Sequence, residues 1–306
     1  MEAIHVFIKG RNGNGVFYRT EDFLVLISIV GTIAREMGIS IIAFCPMFNH
    51  VHILVKGIDM ETLRAFIHKI ETTFVREYNH EYNRSGPLFQ KSFGRSAKKE
   101  SKNILGCVAY VFNNPVAGKL CKEAIAFRWN LLAFKDCQNP FSLRIARDRC
   151  RKAMRYSLDR VKYYVNNALH LNYCALRIIF NDLNTEEHQQ VIDYIIAAYN
   201  FLDYRMLESL YGSYERLLTA IDSNAGSEYD IEDEYGDHSH YRKMLKVVMK
   251  LGYTGSKLNF EPLPQNRIDS LFFLLRKETN APAQCINKFL HRTCAGSQYA
   301  NNQQDK

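Results

Sequence analysis

The order in which hydrophobic periodicity changes over residues 3–120 is the strongest constraint on how this chain folds. Ile4–Lys9 is apolar-rich with alternation and stops at Gly10, the pattern of a strand. Arg11-Asn12-Gly13-Asn14-Gly15 follows as a turn cluster. From Thr20 the repeat becomes helical, with Thr20 as the expected cap, Glu21 and Asp22 in the first turn and Gly38 just past the end. Ile39–Cys45, stopped by Pro46, and His50–Lys56 read as two further strands. Glu61–Tyr82 then places Leu63, Phe66, Ile67, Ile70, Phe74 and Tyr78 at helical spacing. Gly86-Pro87 breaks that helix. Phe89–Ala97 reads as a fourth strand, and Asn103–Asn113 as a helix expected to end near Asn114-Pro115. The order β-α-β-β-α-β-α predicts an α+β domain, a ferredoxin-like split βαβ antiparallel sheet with helices on one face.

From about residue 140 the pattern is helical, which predicts an all-helical C-terminal region. The expected divisions are 1–135, a helical accessory region over 136–222, an acidic linker over 223–240 and a basic helical region over 241–306. Within the last, Tyr241–Leu251 reads as a basic helix. Arg267–Arg276 and Ala281–Arg292, joined by Glu278-Thr279-Asn280, have the look of a helix-turn-helix. Its second helix would offer Gln284, Asn287, Lys288 and Arg292 to DNA.

Charge is unevenly spread. Lys plus Arg is 40 against 32 for Asp plus Glu, a net +8 made of +7 over 1–135, +5 over 136–168, −11 over 169–240 and +7 over 241–306. Two basic regions separated by an acidic one suit a protein that touches a polyanion with both ends. With 47% hydrophobic and 24% charged residues, a mostly disordered chain and a short disulfide scaffold are excluded. The longest apolar run, Phe23–Ala34, falls short of the roughly 20 residues of a spanning helix, so no membrane segment is expected. The eight cysteines show no Cys-x-x-Cys pair and no metal-finger spacing, and with no secretory signal read, a cytoplasmic protein with reduced thiols is expected.

His50-Val51-His52 puts two imidazoles on one face of a strand, because side chains alternate with period two. Such a pair can share a divalent cation. His238-Ser239-His240 has the same spacing in an acidic, loop-like stretch that fixes neither ring, and reads as surface. Tyr110 and Asn114 lie four apart on the last helix of the same domain and so share a face. Tyrosine attacks a phosphodiester only if the phosphate is polarised, and a neutral His/His/amide set suits Mg²⁺ or Mn²⁺. Taken alone, these residues equally allow Tyr110 to pack and Asn114 to end the helix.

Four ordered blocks carry a family resemblance. Cys45-Pro46-Met47-Phe48-Asn49-His50-Val51-His52 resembles the signature of the HUH single-tyrosine, insertion-sequence-200-like transposases, and within them the REP-associated tyrosine transposases. Gly86-Pro87-Leu88-Phe89-Gln90-Lys91-Ser92-Phe93, Tyr110–Leu120 and Arg128-Trp129 resemble that group's later blocks, in order, over about residues 4–134. The resemblance implies that residues 1–135 are an HUH catalytic domain, with His50, His52 and Asn114 as metal ligands for Mg²⁺ or Mn²⁺ and Tyr110 as nucleophile. It implies single-stranded DNA as substrate, cut to a 5′-phosphotyrosine and a free 3′-OH, and DNA hairpins at palindromic repeats as the recognition element. Arg11 and Asn12 occupy the family's turn after the first strand, and the basic run Lys91, Arg95, Lys98 and Lys99 lies beside the site, both suggesting DNA contacts.

The chain departs from the family pattern at Phe48, where proline is usual, so a less rigid loop is expected, and in a Tyr110–Leu120 block one residue short before its glycine. Two other readings stand beside the transposase one: a domesticated relative that binds hairpins without cutting, and a metal-dependent hydrolase that needs no Tyr110. The Tyr163-Tyr164 pair lies outside the catalytic-type domain and is expected to pack. Homodimer and monomer are both compatible with the sequence.

Overall fold

The computed structural model describes residues 2–223, 239–253, 263–281 and 283–290. Strands β1 (Ala3–Lys9), β2 (Ile41–Pro46), β3 (His50–Lys56) and β4 (Gly94–Lys98) form one sheet in the order β2-β3-β1-β4, every neighbouring pair antiparallel. Helices α1 (Thr20–Met37) and α2 (Met60–Glu81) connect them, and α3 (Ser101–Ala117) follows. The fourth strand starts at Gly94, later than the pattern suggested, because Phe89 pairs with Gly10 only as an isolated bridge and the chain turns before rejoining β1.

Register sorts the strand residues. Phe7 pairs with His52, His5 with Leu54 and with Ser96, and Cys45 with His52, so these side chains share one face. Ile53, Val6 and Arg95 share the other. Helix α3 packs on β2, β3 and β4, bringing Tyr110 over the histidine face. The start of α2 lies on the opposite side, where Met60 meets Arg95. Helices therefore flank both faces, where cover on one was expected, and all five inner residues of β3 are buried. The sheet cannot be one-sided because its sequence is apolar on both sides at β2 and β3.

Two helix ends also differ from expectation. The cap of α1 is Arg19, not Thr20, and the Asp22 carboxylate accepts from the backbone N–H groups of Tyr18 and Arg19. The second oxygen of Asp22 accepts from the Tyr82 and Tyr173 hydroxyls, both at 2.8 Å. Burial pushes the Asp22 carboxyl up, and these four donors pull against that shift. Helix α3 runs on through Pro115 to Ala117, since in the last turn a proline forfeits only one backbone bond, to Val111. Gly118, Lys119 and Leu120 close its end by donating to Asn114, Val116 and Pro115 carbonyls.

Helices α4 (Lys152–Asn166), α5 (Tyr173–Phe180), α6 (Thr185–Tyr199), α7 (Tyr204–Tyr211) and α8 (Tyr214–Ser223) follow, and a single hydrophobic core runs from Ala3 to Ile221. Helix α6 crosses α1 at Gly31, where the Tyr199 carbonyl would lie 2.3 Å from an added Cβ. The Asn113 amide donates to Ile221 at 2.7 Å, and Tyr211 donates to the Leu105 carbonyl, tying α8 and α7 to α3. Arg128 pairs with Asp193 of α6, and Trp129 stacks on Phe23 of α1. A separate cluster joins α9 (Ser239–Lys250), α10 (Gln265–Thr279) and α11 (Ala283–Phe289), with Met244, Val248, Leu271, Leu275 and Ile286 at its centre. Most of the acidic 223–240 stretch, including His238, lies outside the described residues.

Candidate active site

The His50–Lys56 strand begins straight out of a pinned turn. Met47 N–H donates to His50 O, Gly10 N–H to Asn49 O, and the N–H groups of Val16 and Phe17 both donate to Phe48 O. The Phe48 ring stands edge-on to Tyr18 at 4.5 Å between centroids, and Gly15 lies beneath it, where an added Cβ would come within 2.1 Å of the ring. The turn is thus braced by backbone bonds to residues 10–17 and by a packed aromatic, where the missing proline suggested a looser loop. Backbone bonds and the Phe48–Tyr18 contact stand in for proline's restriction.

Both imidazoles are oriented by a partner on Nδ1. His50 Nδ1 lies 2.7 Å from Asn49 Oδ1, and His52 Nδ1 lies 3.0 Å from His5 Nε2. Asn49 Oδ1 can only accept, so His50 donates from Nδ1 and Nε2 is the nitrogen on the other side of the ring. His52 Nε2 is buried and has no hydrogen-bond partner. The two rings meet edge to face at 4.7 Å. Burial, with the charges of His50, His5 and Lys9, holds His52 well below the ordinary histidine range, and the adjoining Asn114 amide opposes this only weakly. Burial, Lys98 and His50 lower His5 to about 4. Both buried rings are neutral at neutral pH, the form that can ligate a metal.

Tyr110 completes the group. Its ring stands edge-on to His52 at 5.6 Å and to His5 at 5.9 Å. One turn on, the Asn114 amide nitrogen donates 2.9 Å to the Tyr110 carbonyl, which turns the amide oxygen away from the helix axis. His50, Tyr110 and Asn114 are half-buried while His52, His5 and Asn49 are buried, so the cluster opens to solvent on one side only.

The donor set fits a divalent cation: two oriented imidazole nitrogens, one of them an orphaned buried atom, and a nearby neutral amide. Among the described residues no three His, Cys, Asp or Glu side chains are arranged to hold a metal. His5 does not join as a third ligand, because its Nε2 is taken up by His52. It instead orients His52, as the outer hydrogen-bond partners of metal-bound histidines do. His5 and Asn49 were missed by the sequence reading. His5 carries a weak signal, since it sits in an alternating strand among apolar neighbours, but only strand register shows that it meets His52.

The basic residues separate. Arg11 and Asn12 lie exposed in a 3-10 turn, with Arg11 N–H bonded to the Leu88 carbonyl. Arg11 and Lys91 line a cavity of about 620 Å³ with Glu71, Arg76, Leu88 and Phe89. Burial raises Glu71 there to about 7. Lys98 lies on the histidine face and acts on His5, and Lys9, outside the sequence selection, acts on His52. Arg95 points to the opposite face, and Lys99 is exposed just past β4. Asn287 is half-buried in α11, which places it partly against its own cluster; the side chains of Gln284 and Lys288 and all of Arg292 lie outside the described residues.

Residues 3–114 match the family model described as "Transposase IS200 like", a span that begins at β1 and ends at Asn114. The chain carries an IS200-like transposase domain. The match takes in every member of the His5–His50–His52–Tyr110–Asn114 group. The chain is also similar to a solved structure described as "Structure of the REP associates tyrosine transposase bound to a REP hairpin". That likeness has 18% sequence identity, covers 40% of this chain and 71% of that one, and has a TM-score of 0.34. No curated protein matches the chain. Beyond the transposase domain, no helix among the described residues is long and apolar enough to cross a membrane.

Proposed function

We propose that this chain nicks and rejoins single-stranded DNA at hairpin or palindromic repeats, with Tyr110 as the nucleophile. The observation that carries the reading is the orphaned Nε2 of buried His52, 5.6 Å ring to ring from Tyr110 and oriented from behind by His5. His50, His52 and Asn114 would hold Mg²⁺ or Mn²⁺, which when bound supplies polarisation of the scissile phosphate. The Tyr110 phenol oxygen attacks phosphorus as its proton leaves, the bond to the 3′ oxygen breaks, and the 3′ oxygen takes up a proton. The products are a 5′-phosphotyrosine and a free 3′-OH. Attack by another 3′-OH reverses the exchange without ATP, because one phosphoester replaces another.

The strand order β2-β3-β1-β4 supports reading the sheet as ferredoxin-like and the domain as an HUH endonuclease. Arg11, Asn12, Lys91, Lys98 and Lys99 are proposed to contact DNA phosphates, and Arg95 to contact DNA from the far face of the edge strand. The α10–α11 region is proposed as an accessory DNA-binding unit, with Gln284, Asn287, Lys288 and Arg292 as the candidate contacts.

Covalent trapping tests the reading. The chain is incubated with labelled single-stranded hairpins from repeats flanking its own gene, with Mn²⁺ or Mg²⁺, and run on a denaturing gel beside Tyr110→Phe. An adduct that needs both Tyr110 and metal supports the assignment. Hairpin binding without an adduct in either metal would replace it with a domesticated, non-cutting DNA-binding protein.

A further inference from the structure

We infer that the outward face of α4 is a second surface for single-stranded DNA, separate from the histidine–tyrosine site, on which unpaired bases stack against Tyr156 and Tyr163. The ligand class rests on the proposed function; the surface itself does not. Helix α4 buries Met154, Ser157, Leu158 and Val161 and turns the intervening positions outward. Tyr156 and Tyr163 lie on the side opposite that buried face and are 52% and 55% exposed. They stand two turns apart, about 10 Å along the axis. The expectation that the Tyr163-Tyr164 pair packs holds for half-buried Tyr164 alone.

Between the two exposed rings lies Arg160, its guanidinium 6.0 Å from the Tyr156 centroid and 5.7 Å from that of Tyr164. Arg160 Nε is buried and without a hydrogen-bond partner. Lys152, Arg155 and Lys162 are the exposed cations of the helix, against the single acid Asp159. Arg151, just before the helix, is already paired with Glu187. The four later cations form no ion pair with any described residue.

Aromatic faces interleaved with cations match the two halves of a single strand, since bases stack on rings while guanidinium and ammonium groups track phosphates. Duplex DNA keeps its base faces stacked and offers nothing to the tyrosines. A second copy of this chain, docked through the same face, would bring like charges together.

The test uses the full chain and a fluorescein-labelled oligothymidine, which has no hairpin, read by anisotropy. The double variant Tyr156→Leu/Tyr163→Leu keeps apolar bulk but removes both rings, and is expected to bind at least about tenfold more weakly. Tyr156→Phe/Tyr163→Phe should bind like the unaltered chain, because stacking needs the ring and not the hydroxyl. Unchanged binding by the leucine pair, equal loss in the phenylalanine pair, or duplex bound as tightly as oligothymidine would each overturn the surface. Adduct formation with saturating hairpin DNA separates this from the nicking reaction. The leucine pair should still form the adduct, and an unaltered chain that binds oligothymidine through α4 but forms no adduct would sink only the Tyr110 assignment.

Discussion

His5 Nε2 and His52 Nδ1 lie 3.0 Å apart, joining β1 to β3 behind the candidate metal ligands. This contact sets which nitrogen of His52 is free. Replacing His5 with alanine should leave the sheet intact and weaken Mn²⁺ binding by about 10- to 100-fold, the usual cost of losing an outer partner of a metal-bound histidine. Calorimetric titration of Mn²⁺ into the His5→Ala protein measures it directly, and affinity equal to that of the unaltered chain would refute the orienting role.

Tyr110→Phe should abolish the covalent adduct while hairpin binding stays near its unaltered level, since one hydroxyl leaves an otherwise unchanged ring between His5 and His52. A denaturing gel run beside an anisotropy titration separates the two effects.

Asp22→Ala should destabilise the protein by on the order of 3 kcal/mol or more, because two backbone N–H groups and two buried tyrosine hydroxyls lose their acceptor together. Urea unfolding reads this out. A loss within about 0.5 kcal/mol, the range of ordinary surface changes, would mean that the network contributes little.

Glu71 predicts a dependence on pH. Burial raises its carboxyl from 4.5 to about 7, so the folded protein holds this proton more tightly than the unfolded chain does. Its contribution is fully present below about pH 4.5 and is lost as pH rises through 7. Glu71→Gln should therefore stabilise the protein above pH 7, by up to about 2 kcal/mol after allowing for partial exposure, and have little effect near pH 4. Urea midpoints of both proteins across that range give the comparison.

Gly31→Ala should lower the melting temperature, because its Cβ would meet the Tyr199 carbonyl of α6, a backbone atom with little freedom to retreat. Overpacking of this kind costs about 1–3 kcal/mol. An unchanged melting temperature would mean that α6 docks less firmly on α1 than the core implies.

The periodicity of residues 3–120 determined the succession of strands and helices, because alternation and helical spacing are local properties of the chain. The same holds for the histidine pair facing one way and for Tyr110 and Asn114 sharing a helix face. Only the tertiary structure decided that these two faces meet. That depends on the register of β1 with β3 and on α3 crossing the sheet, neither of which leaves a local trace. His5 stood out only weakly as a site residue for this reason, since 47 positions separate it from His52. Tertiary packing likewise set Arg95 on the far face, carried α3 through Pro115, and braced the Phe48 turn with backbone bonds in place of proline. It also left two tyrosines of α4 in solvent, where a sequence rich in aromatic residues suggests only more core.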